Sequence, residues 1–432
     1  MSYQPANVEV KMIPVVKAGD AKRWLEDITA QTCDRSDEGI EQKVKDILHS
    51  IRTGGDAALL AIAAQLNDPP PRKLILDEVE LQRVKSSLPK ETLDTIKKAA
   101  ARIEQFNKSI MEMVRPVSIV HAEFETGFHL RPVKRAACYV PAGRYPLPST
   151  ALMTAITARA AGVEEVCIFS PHLSPEIIFA GAVSGVTLFY EIGGAQAVAA
   201  AAFGTETIEP FDVIVGPGNA YVTEAKRQIQ GIARIDMLAG PSEVCIIADN
   251  LANPEWTALD LLAQAEHDPD ARCYLFTTDE SLATEVQNIV AAKVSELNLP
   301  DFLHQSLAES VIAVFPSIDD CIDAANIIAP EHLQLAVADP QALKHGLTNY
   351  GALFGGTAST VPYGDYVAGP NHTLPTNRSA RHSGGLSPYT FLRPQTWLHV
   401  PKPCATLAKE SASFARVEGL RAHEAASIAR IE

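Results

Sequence analysis

Residues 186–204, VTLFYEIGGAQAVAAAAFG, join a short β-rich run to an alanine-rich run through two glycines. Aromatic and branched side chains favour a buried strand, whereas alanines favour a closely packed helix. A glycine pair between two such runs is typical of the turn that leads from a strand into a crossover helix. This stretch therefore predicts one strand-helix unit of a parallel sheet.

The same alternation repeats along much of the chain. The other strand-like runs, most of them followed by a helical run, are RAACYV, EEVCIFS, FDVIV, SEVCIIAD, CYLFTT, SVIAVF and GALFGG. Parallel strands need such crossover connections. The sequence therefore predicts an α/β fold of two Rossmann-like parallel-sheet lobes, with small helical segments at the N and C termini.

The composition restricts the class of partner. Hydrophobic residues make up 47% of the 432 residues and charged residues 21%, which is typical of a folded globular protein. A formal charge of -15 argues against nucleic acid and anionic membranes and favours a small molecule as the partner. The start lacks a signal peptide, and no apolar run reaches membrane-spanning length, so we expect a cytoplasmic protein.

Seven cysteines form no C-x-x-C pair and predict reduced thiols. Four of them lie within strand-like runs, where cysteine usually packs as a small hydrophobic residue: Cys138, Cys167, Cys245 and Cys273.

Three strand-to-helix turns are rich in glycine: YVPAGRYP, EIGGAQAV and IVGPGNAY. Such turns present backbone N–H groups to an anion and allow a phosphate to approach closely. None of them matches G-x-G-x-x-G. They indicate either nucleotide binding in a non-standard α/β lobe or tight packing turns in an enzyme without a nucleotide.

The segment DLLAQAEHDP is predicted to end a helix with Gln264 and His267 on one face, three residues apart. This pair is either half of a metal site or a helix-end histidine beside a solvated glutamine. Asp365 in a glycine-flanked loop and His423 in the C-terminal helical tail add donors of the right type. A set of Gln, His, Asp and His suits Zn²⁺ and leaves room for a substrate.

The segment APEHL places Glu331 and His332 at the start of an apolar strand-like run. Active-site groups of α/β proteins tend to lie at the ends of such elements. A histidine is the usual general base, and a neighbouring carboxylate can activate water. The alternative is a helix cap at the surface.

Taken together, these motifs resemble the histidinol dehydrogenase family, the zinc- and NAD-dependent enzymes that complete histidine biosynthesis. The resemblance runs from about residue 30 to the C terminus. It is carried by GGAQAVAAAAFGTETI, FDVIVGPGNAYVTEAKRQI, IDMLAGPSEV, DLLAQAEHDP, APEHLQL, GDYVAGPNHTLPT and EGLRAH.

The resemblance implies a role for each site residue. One zinc ion per subunit would be bound by Gln264, His267, Asp365 and His423, the last from the partner subunit of a homodimer with shared active sites. Substrate contacts would fall on Ser242, Gln264, His267, His332, Asp365, Glu418 and His423, with His372 as an auxiliary histidine. NAD contacts would fall on Tyr139, Gln196 and Asn219.

The resemblance also implies the reaction, in which an amino alcohol is oxidised twice, first to the aldehyde and then to the amino acid. His332 would remove the alcohol proton, and Glu331 would activate the water that hydrates the aldehyde. Two other classes of protein are the alternatives: a zinc hydrolase without a nucleotide, and a metabolite-binding protein without catalysis.

Some positions depart from the family pattern. Ala142 replaces an expected glycine, and His382 and Gly385 stand where an aromatic residue and a proline are usual. These changes resemble a sister branch, the sulfopropanediol dehydrogenases, which oxidise a small sulfonated diol. Arg378, Arg381 and His382 can serve a sulfonate, or they can be solvated loop residues.

We divide the chain on this basis. Residues 1–30 form an N-terminal arm, and residues 386–432 form a helical tail that completes the dimer. Residues 31–138 and 243–385 form the first α/β lobe, with the zinc and catalytic residues. Residues 139–242 form the second lobe, on the NAD side.

Overall fold

The computed structural model describes residues 12–31, 38–142 and 146–431. In these ranges the strands are β1 Val15–Val16, β2 Arg72–Ile75, β3 Val117–Val120, β4 Glu125–Pro132, β5 Arg135–Tyr139, β6 Glu165–Ser170, β7 Leu188–Glu191, β8 Val213–Val215, β9 Arg234–Ile235, β10 Glu243–Ala248, β11 Arg272–Thr277, β12 Val311–Val314, β13 His332–Ala336, β14 Ala352–Gly355 and β15 Leu392–His399. The helices are α1 Ala18–Gln31, α2 Glu38–Leu66, α3 Glu78–Ser87, α4 Lys90–Met111, α5 Pro148–Ala160, α6 Pro175–Val183, α7 Gly194–Phe203, α8 Ala220–Gln228, α9 Pro254–Ala265, α10 Glu280–Glu296, α11 Leu303–Ala308, α12 Ile318–Ile328, α13 Pro340–Leu343, α14 Val361–Tyr366, α15 Ala405–Val417 and α16 Arg421–Ile428, with short 3-10 turns at Ser379–Arg381 and Pro388–Phe391.

The sheet of the second lobe has the strand order β2-β7-β6-β5-β8-β9, and all its strands except β2 run parallel. Both faces are covered by helices, α2, α7 and α8 on one and α3 to α6 on the other. This arrangement explains the continuous apolar character of its strands, which are buried on both sides.

The first-lobe sheet is entirely parallel, in the order β1-β12-β11-β10-β13-β14. Helices α9, α10 and α11 pack on one face, and α1 and α12 pack on the other. The two parallel lobes confirm the predicted α/β fold.

The packing changes the predicted division of the chain. Residues 38–111, predicted to belong to the first lobe, instead bury their apolar faces on the second-lobe sheet, and β5 lies at the centre of that sheet. Val15 and Val16 of the predicted N-terminal arm pair with β12, and α1 packs beside them on the first-lobe sheet. An amphipathic helix fits either sheet, so its periodicity does not identify the lobe that it covers.

A third sheet was not predicted. Within the predicted helical tail, β15 pairs antiparallel with β4, which also pairs with β3. Gly127 permits this pairing, because a Cβ there would lie 2.1 Å from the Trp397 ring. The rest of the tail forms the helical hairpin α15–α16. We call residues 117–132 and 392–431 the arm; it is distinct from the predicted N-terminal arm of residues 1–30.

The described cysteines are buried, and the four predicted core cysteines, Cys138, Cys167, Cys245 and Cys273, all lie within the sheets. Cys33 lies outside the described residues. Over the described ranges, no helix combines the length and the apolar character needed to cross a membrane.

Candidate active site

A cavity of about 1430 Å³ lies between the two lobes. On the second-lobe side it is lined by the turn Pro217–Asn219, which follows β8. On the first-lobe side it is lined by seven of the predicted site residues, namely Ser242, Gln264, His267, Glu331, His332, Asp365 and His372. A space of this size can hold a small molecule together with part of a larger one.

The predicted catalytic pair, Glu331 and His332, lies at the amino ends of the first-lobe strands. His332 is the first residue of β13, and Glu243 is the first residue of the neighbouring parallel strand β10. Ligands of open parallel sheets usually bind at the carboxyl ends, which is where the turn at Pro217–Asn219 lies in the second lobe. The cavity therefore joins the carboxyl edge of one sheet to the amino edge of the other.

His332 lies between two carboxylates. Its Nε2 is 3.3 Å from Asp365 Oδ1, and its Nδ1 is 3.6 Å from Glu331 Oε2. Nδ1 also lies 3.3 Å from the carbonyl oxygen of Glu243. Nε2 makes no aligned hydrogen bond to any described residue, although it is buried. The ring is thus fixed through Nδ1, and Nε2 remains available to a ligand.

Burial dominates the charge state of Glu331. It raises the pKa of Glu331 to about 7, although the charge of His332 opposes this rise. The carboxylate accepts a hydrogen bond of 3.0 Å from the backbone N–H of Glu243. A carboxylate that titrates near neutrality suits a general base toward water.

The histidines in the cavity differ in their charge. Burial works to lower the pKa of His332, but Glu331 and Asp365 outweigh it and raise this pKa to about 9. Burial also works to raise the pKa of Asp365, but the neighbouring His332 holds it below its usual value. Burial lowers the pKa of His372, whose Nε2 lies 3.3 Å from Ser149 Oγ.

Gln264 and His267 reach the cavity from the end of α9, as their spacing predicts. The Gln264 side chain is 3% exposed, and its Nε2 is buried with no hydrogen-bond partner in the part of the chain that the structure describes. A buried amide without a partner is costly, so its position indicates a ligand. His267 is exposed at the cavity wall.

Four other predicted residues, Tyr139, Gln196, Glu418 and His423, lie outside the cavity lining, whereas Asn219 belongs to it. Tyr139 and Gln196 lie at the carboxyl edge of the second-lobe sheet, where Tyr139 Oη accepts a 3.0 Å hydrogen bond from the N–H of Gly194. Asn219 lines the cavity and caps α8 by accepting from Val222 N–H at 3.1 Å. Glu418 and His423 are exposed on the arm and do not line the cavity of their own chain.

The turn that ends in Asn219 is held by a buried ion pair that sequence reasoning missed. Lys226 Nζ contacts the Asp236 carboxylate and donates to the carbonyl of Gly216 at 2.9 Å. Asp236 also accepts from the N–H of Gly216 at 2.7 Å. Gly216 has φ +114°, and a Cβ there would lie 2.0 Å from the carbonyl oxygen of Tyr139. The pair therefore fixes a turn that only glycine can form.

Lys226→Met is expected to destabilise the protein by about 3–5 kcal/mol, because Asp236 would then be a buried charge without its partner. Urea unfolding followed by circular dichroism measures the change. Arg227→Met is the matched control, since Arg227 lies on the same helix and forms exposed ion pairs. An equal, small loss for both variants would contradict the role of the buried pair.

Glu243 is a second buried charged residue that the sequence motifs did not indicate. It is buried in the wall of the cavity, and its carboxylate accepts from the N–H of Asn377 at 2.8 Å. Burial and the nearby Glu331 charge raise the pKa of Glu243 to about 8. The available signal was a glutamate at the head of the otherwise apolar strand EVCIIA, since a buried charge needs a partner.

This raised pKa predicts a pH-dependent loss of stability. The folded protein retains the Glu243 proton to a higher pH than the unfolded chain, so the free energy of unfolding should decrease from about pH 4.5 to about pH 8. Glu243→Gln should reduce this decrease, because glutamine carries no proton to lose. Glu285→Gln, on an exposed face of α10, is the control. Parallel profiles for wild type and Glu243→Gln would refute the assignment.

The fold and the family comparisons below define an α/β enzyme, and its candidate active site is the cavity lined by both parallel-sheet lobes. The sequence profile of the histidinol dehydrogenase family matches residues 30–431. The chain therefore belongs to the histidinol dehydrogenase family, and it is an oxidoreductase.

Individual relatives agree with this assignment. The histidinol dehydrogenase of Methanocaldococcus jannaschii is 37% identical over 91% of this chain and 93% of its own length. That of a Synechococcus strain is 41% identical over 94% of this chain and 95% of its own. The crystal structure of histidinol dehydrogenase from Elizabethkingia anophelis has a TM-score of 0.89, with 33% identity, and covers 97% of this chain and 98% of that one. These comparisons do not favour the sulfopropanediol branch.

Proposed function

We propose that this protein catalyses the zinc-dependent, NAD-linked, four-electron oxidation of L-histidinol to L-histidine through L-histidinal, the last step of histidine biosynthesis, in the cytoplasm. The observation that carries the proposal is the position of His332 between Glu331 and Asp365 in a cavity of a chain from this family. A base and a water-activating carboxylate are the two groups that successive oxidation of an alcohol and a hydrated aldehyde requires.

The donor set of the cavity fits one zinc ion. Gln264 brings a buried amide without a partner, and its oxygen and nitrogen can be exchanged by rotation. His267 and Asp365 line the same cavity. Among the described residues of one chain, no group of three His, Cys, Asp or Glu side chains forms a metal site. The three donors Gln264, His267 and Asp365 therefore need a fourth from elsewhere.

His423 of the partner subunit is the proposed fourth ligand. In its own chain His423 is exposed on the arm and away from the cavity. The arm exposes several apolar side chains, namely Val117 (50%), Val120 (78%), Leu398 (61%), Phe414 (73%) and Val417 (83%). Exposed apolar groups on one segment mark a protein interface. They support a homodimer in which each arm completes the active site of the other subunit.

Each site residue has a different role in the proposed reaction. Bound zinc would hold and orient the imidazole and the amine of the substrate. With Asp365 bound to zinc, its charge would no longer raise the pKa of His332 as it does in the structure, and the neutral ring would accept the alcohol proton through Nε2, the nitrogen without an aligned partner. Glu331 removes a proton from the water that hydrates the aldehyde. His372 and Ser242 line the same cavity and would contact the substrate.

The second lobe would bind NAD, the hydride acceptor, through Tyr139, Gln196 and Asn219. All three follow strands of one parallel sheet or end them. The carboxyl edge of such a sheet, with helix N termini directed toward it, is favourable for a dinucleotide.

The charge of the cavity supports a cationic substrate. The carboxylates of Glu331 and Asp365 line it, and Glu418 of the partner subunit's arm would add a third. Of the three candidates for binding a sulfonate, His382 lines the cavity, whereas Arg378 and Arg381 do not. Carboxylates near the amine favour histidinol over a sulfonated diol.

The test is a paired assay of the purified protein with L-histidinol and with dihydroxypropanesulfonate, in the presence of NAD, before and after treatment with a chelator. We expect about two NADH per histidinol, since each of the two oxidations releases one hydride. The activity should disappear with the chelator and return with zinc. Turnover of the sulfonate alone, or turnover that the chelator leaves unchanged, would overturn the proposal.

A further inference from the structure

A buried carboxylate outside the cavity lining connects the elements that carry the proposed zinc ligands. Asp260, on α9, accepts a 2.6 Å hydrogen bond from Gln334 Nε2 on β13. Its other oxygen accepts a 2.6 Å hydrogen bond from Thr360 Oγ1, directly before α14. Both distances are short, as expected for hydrogen bonds to a charged acceptor. Asp260 thus bonds to two other elements at once.

Each of these elements holds a site residue a short distance away. Asp260 and Gln264 lie four residues apart on one face of α9. Gln334 and His332 lie two residues apart on the same face of β13. Asp365 lies on α14, the helix that follows Thr360.

Thr360 donates to Asp260 in place of the hydrogen bond that is usual at its position in a helix. It occupies the N-cap of α14, where a threonine side chain usually accepts a hydrogen bond from the helix backbone. In this protein it makes no such bond and donates to Asp260 instead. Gln334 also donates to the carbonyl of Ser359 at 3.0 Å, which ties β13 to the same turn.

The burial of this network needs an explanation beyond packing. Asp260 is 8% exposed and Gln334 is 1% exposed. Burying a carboxylate is costly, and an apolar side chain would fill the same space at a lower cost. An ionised acceptor does, however, fix the relative position of three elements more rigidly than apolar contacts do.

We propose that Asp260 is a positioning residue, which holds α9, β13 and α14 in register so that Gln264, His267 and Asp365 converge on the zinc ion beside His332. This inference rests on the proposed zinc site. Residues that orient metal ligands typically change metal affinity by about 10–100-fold when they are replaced.

The experiment measures Zn²⁺ affinity of the full-length protein, stripped with a chelator and titrated with zinc against a chromogenic competitor. Asp260→Asn keeps the size and removes the charge, and we expect its zinc dissociation constant to rise by about 10–100-fold. Thr360→Val should raise this constant in the same direction, because it removes only the hydroxyl donor. Thr360→Ser, which retains the hydroxyl, should restore wild-type affinity.

Ser310→Ala is the matched control for a loss of stability alone. Ser310 lies in the same lobe, is 2% exposed, and hydrogen-bonds to Cys273 N–H and the Ser306 carbonyl. Its loss should lower the melting temperature without changing zinc affinity. If Asp260→Asn and Thr360→Val bind zinc as tightly as wild type and lose only thermal stability, as Ser310→Ala does, Asp260 is not a positioning residue.

The two proposals fail in different ways. Wild-type protein that binds no zinc would overturn the proposed function, and this inference with it. Wild-type protein that binds zinc tightly, with unchanged affinity in the variants, would overturn only the role of Asp260. A zinc affinity that falls in Thr360→Val and recovers in Thr360→Ser would support it, because a general loss of packing would not depend on the hydroxyl.

Discussion

His332→Asn is expected to lower kcat for L-histidinol by about 10²–10⁴-fold, which is the usual contribution of a positioned general base. His332 Nε2 is buried, lies 3.3 Å from Asp365 and has no aligned partner in the described ranges. Asparagine is polar and of a size that fits the space, but it cannot accept a proton at neutral pH. Steady-state NADH formation with saturating substrate and zinc measures the effect.

The control for this substitution is His345→Asn, a histidine on the surface. It should leave kcat unchanged. Zinc content of His332→Asn should equal that of wild type, because His332 is not among the proposed ligands. Wild-type kcat in His332→Asn would exclude it as the base. A variant that has lost both zinc and activity would instead assign His332 to the metal site.

Mixing two inactive variants is expected to restore activity if the active sites are shared. His332→Asn damages the first-lobe side of a site, and His423→Ala removes the ligand that each arm would supply to its partner. In a mixed dimer, one site carries both defects and the other carries neither. Random pairing makes half of the dimers mixed, so co-expression should give about a quarter of the wild-type activity.

The matched control is co-expression of His332→Asn with Asp365→Asn. These two residues lie in contact on one chain, so each site of a mixed dimer would retain one defect and activity should stay low. Equal recovery in both mixtures would contradict the shared site. Full activity of His423→Ala on its own would remove this residue from the metal site altogether.

The local pattern of apolar residues was sufficient to predict most strands of the two parallel sheets. The runs RAACYV, EEVCIFS, SEVCIIAD and SVIAVF all form parallel strands, because a strand that is buried on both faces must be apolar throughout. The strand β15, with the sequence LRPQTWLH, gave no such signal. It pairs at the surface, where one face stays polar, and its partner β4 lies far away in sequence.

In the candidate active site too, the sequence predicted only the contacts that depend on local spacing. The spacing of Gln264 and His267 was enough to place them together at the end of α9, since helix geometry is local. The contact of His332 with Asp365 joins a strand to a helix that follows the next strand, and only the packing of β13 and α14 brings them together. Glu243 and Asp260 were missed because each gains its partners through such packing.

The sequence by itself determined the α/β class, most of the strands and the residue types of the candidate active site. Strand burial and helical spacing depend on neighbours within a few residues, which makes them readable in one dimension. Only the tertiary structure decided that residues 38–111 cover the second lobe, that Glu331 and His332 lie at the amino edge of the first-lobe sheet, and that His423 lies outside the cavity of its own chain. These features depend on which apolar surfaces pack together. Many helix and sheet faces in a chain of this length have similar apolar patterns, so the pattern does not identify the partner of each face.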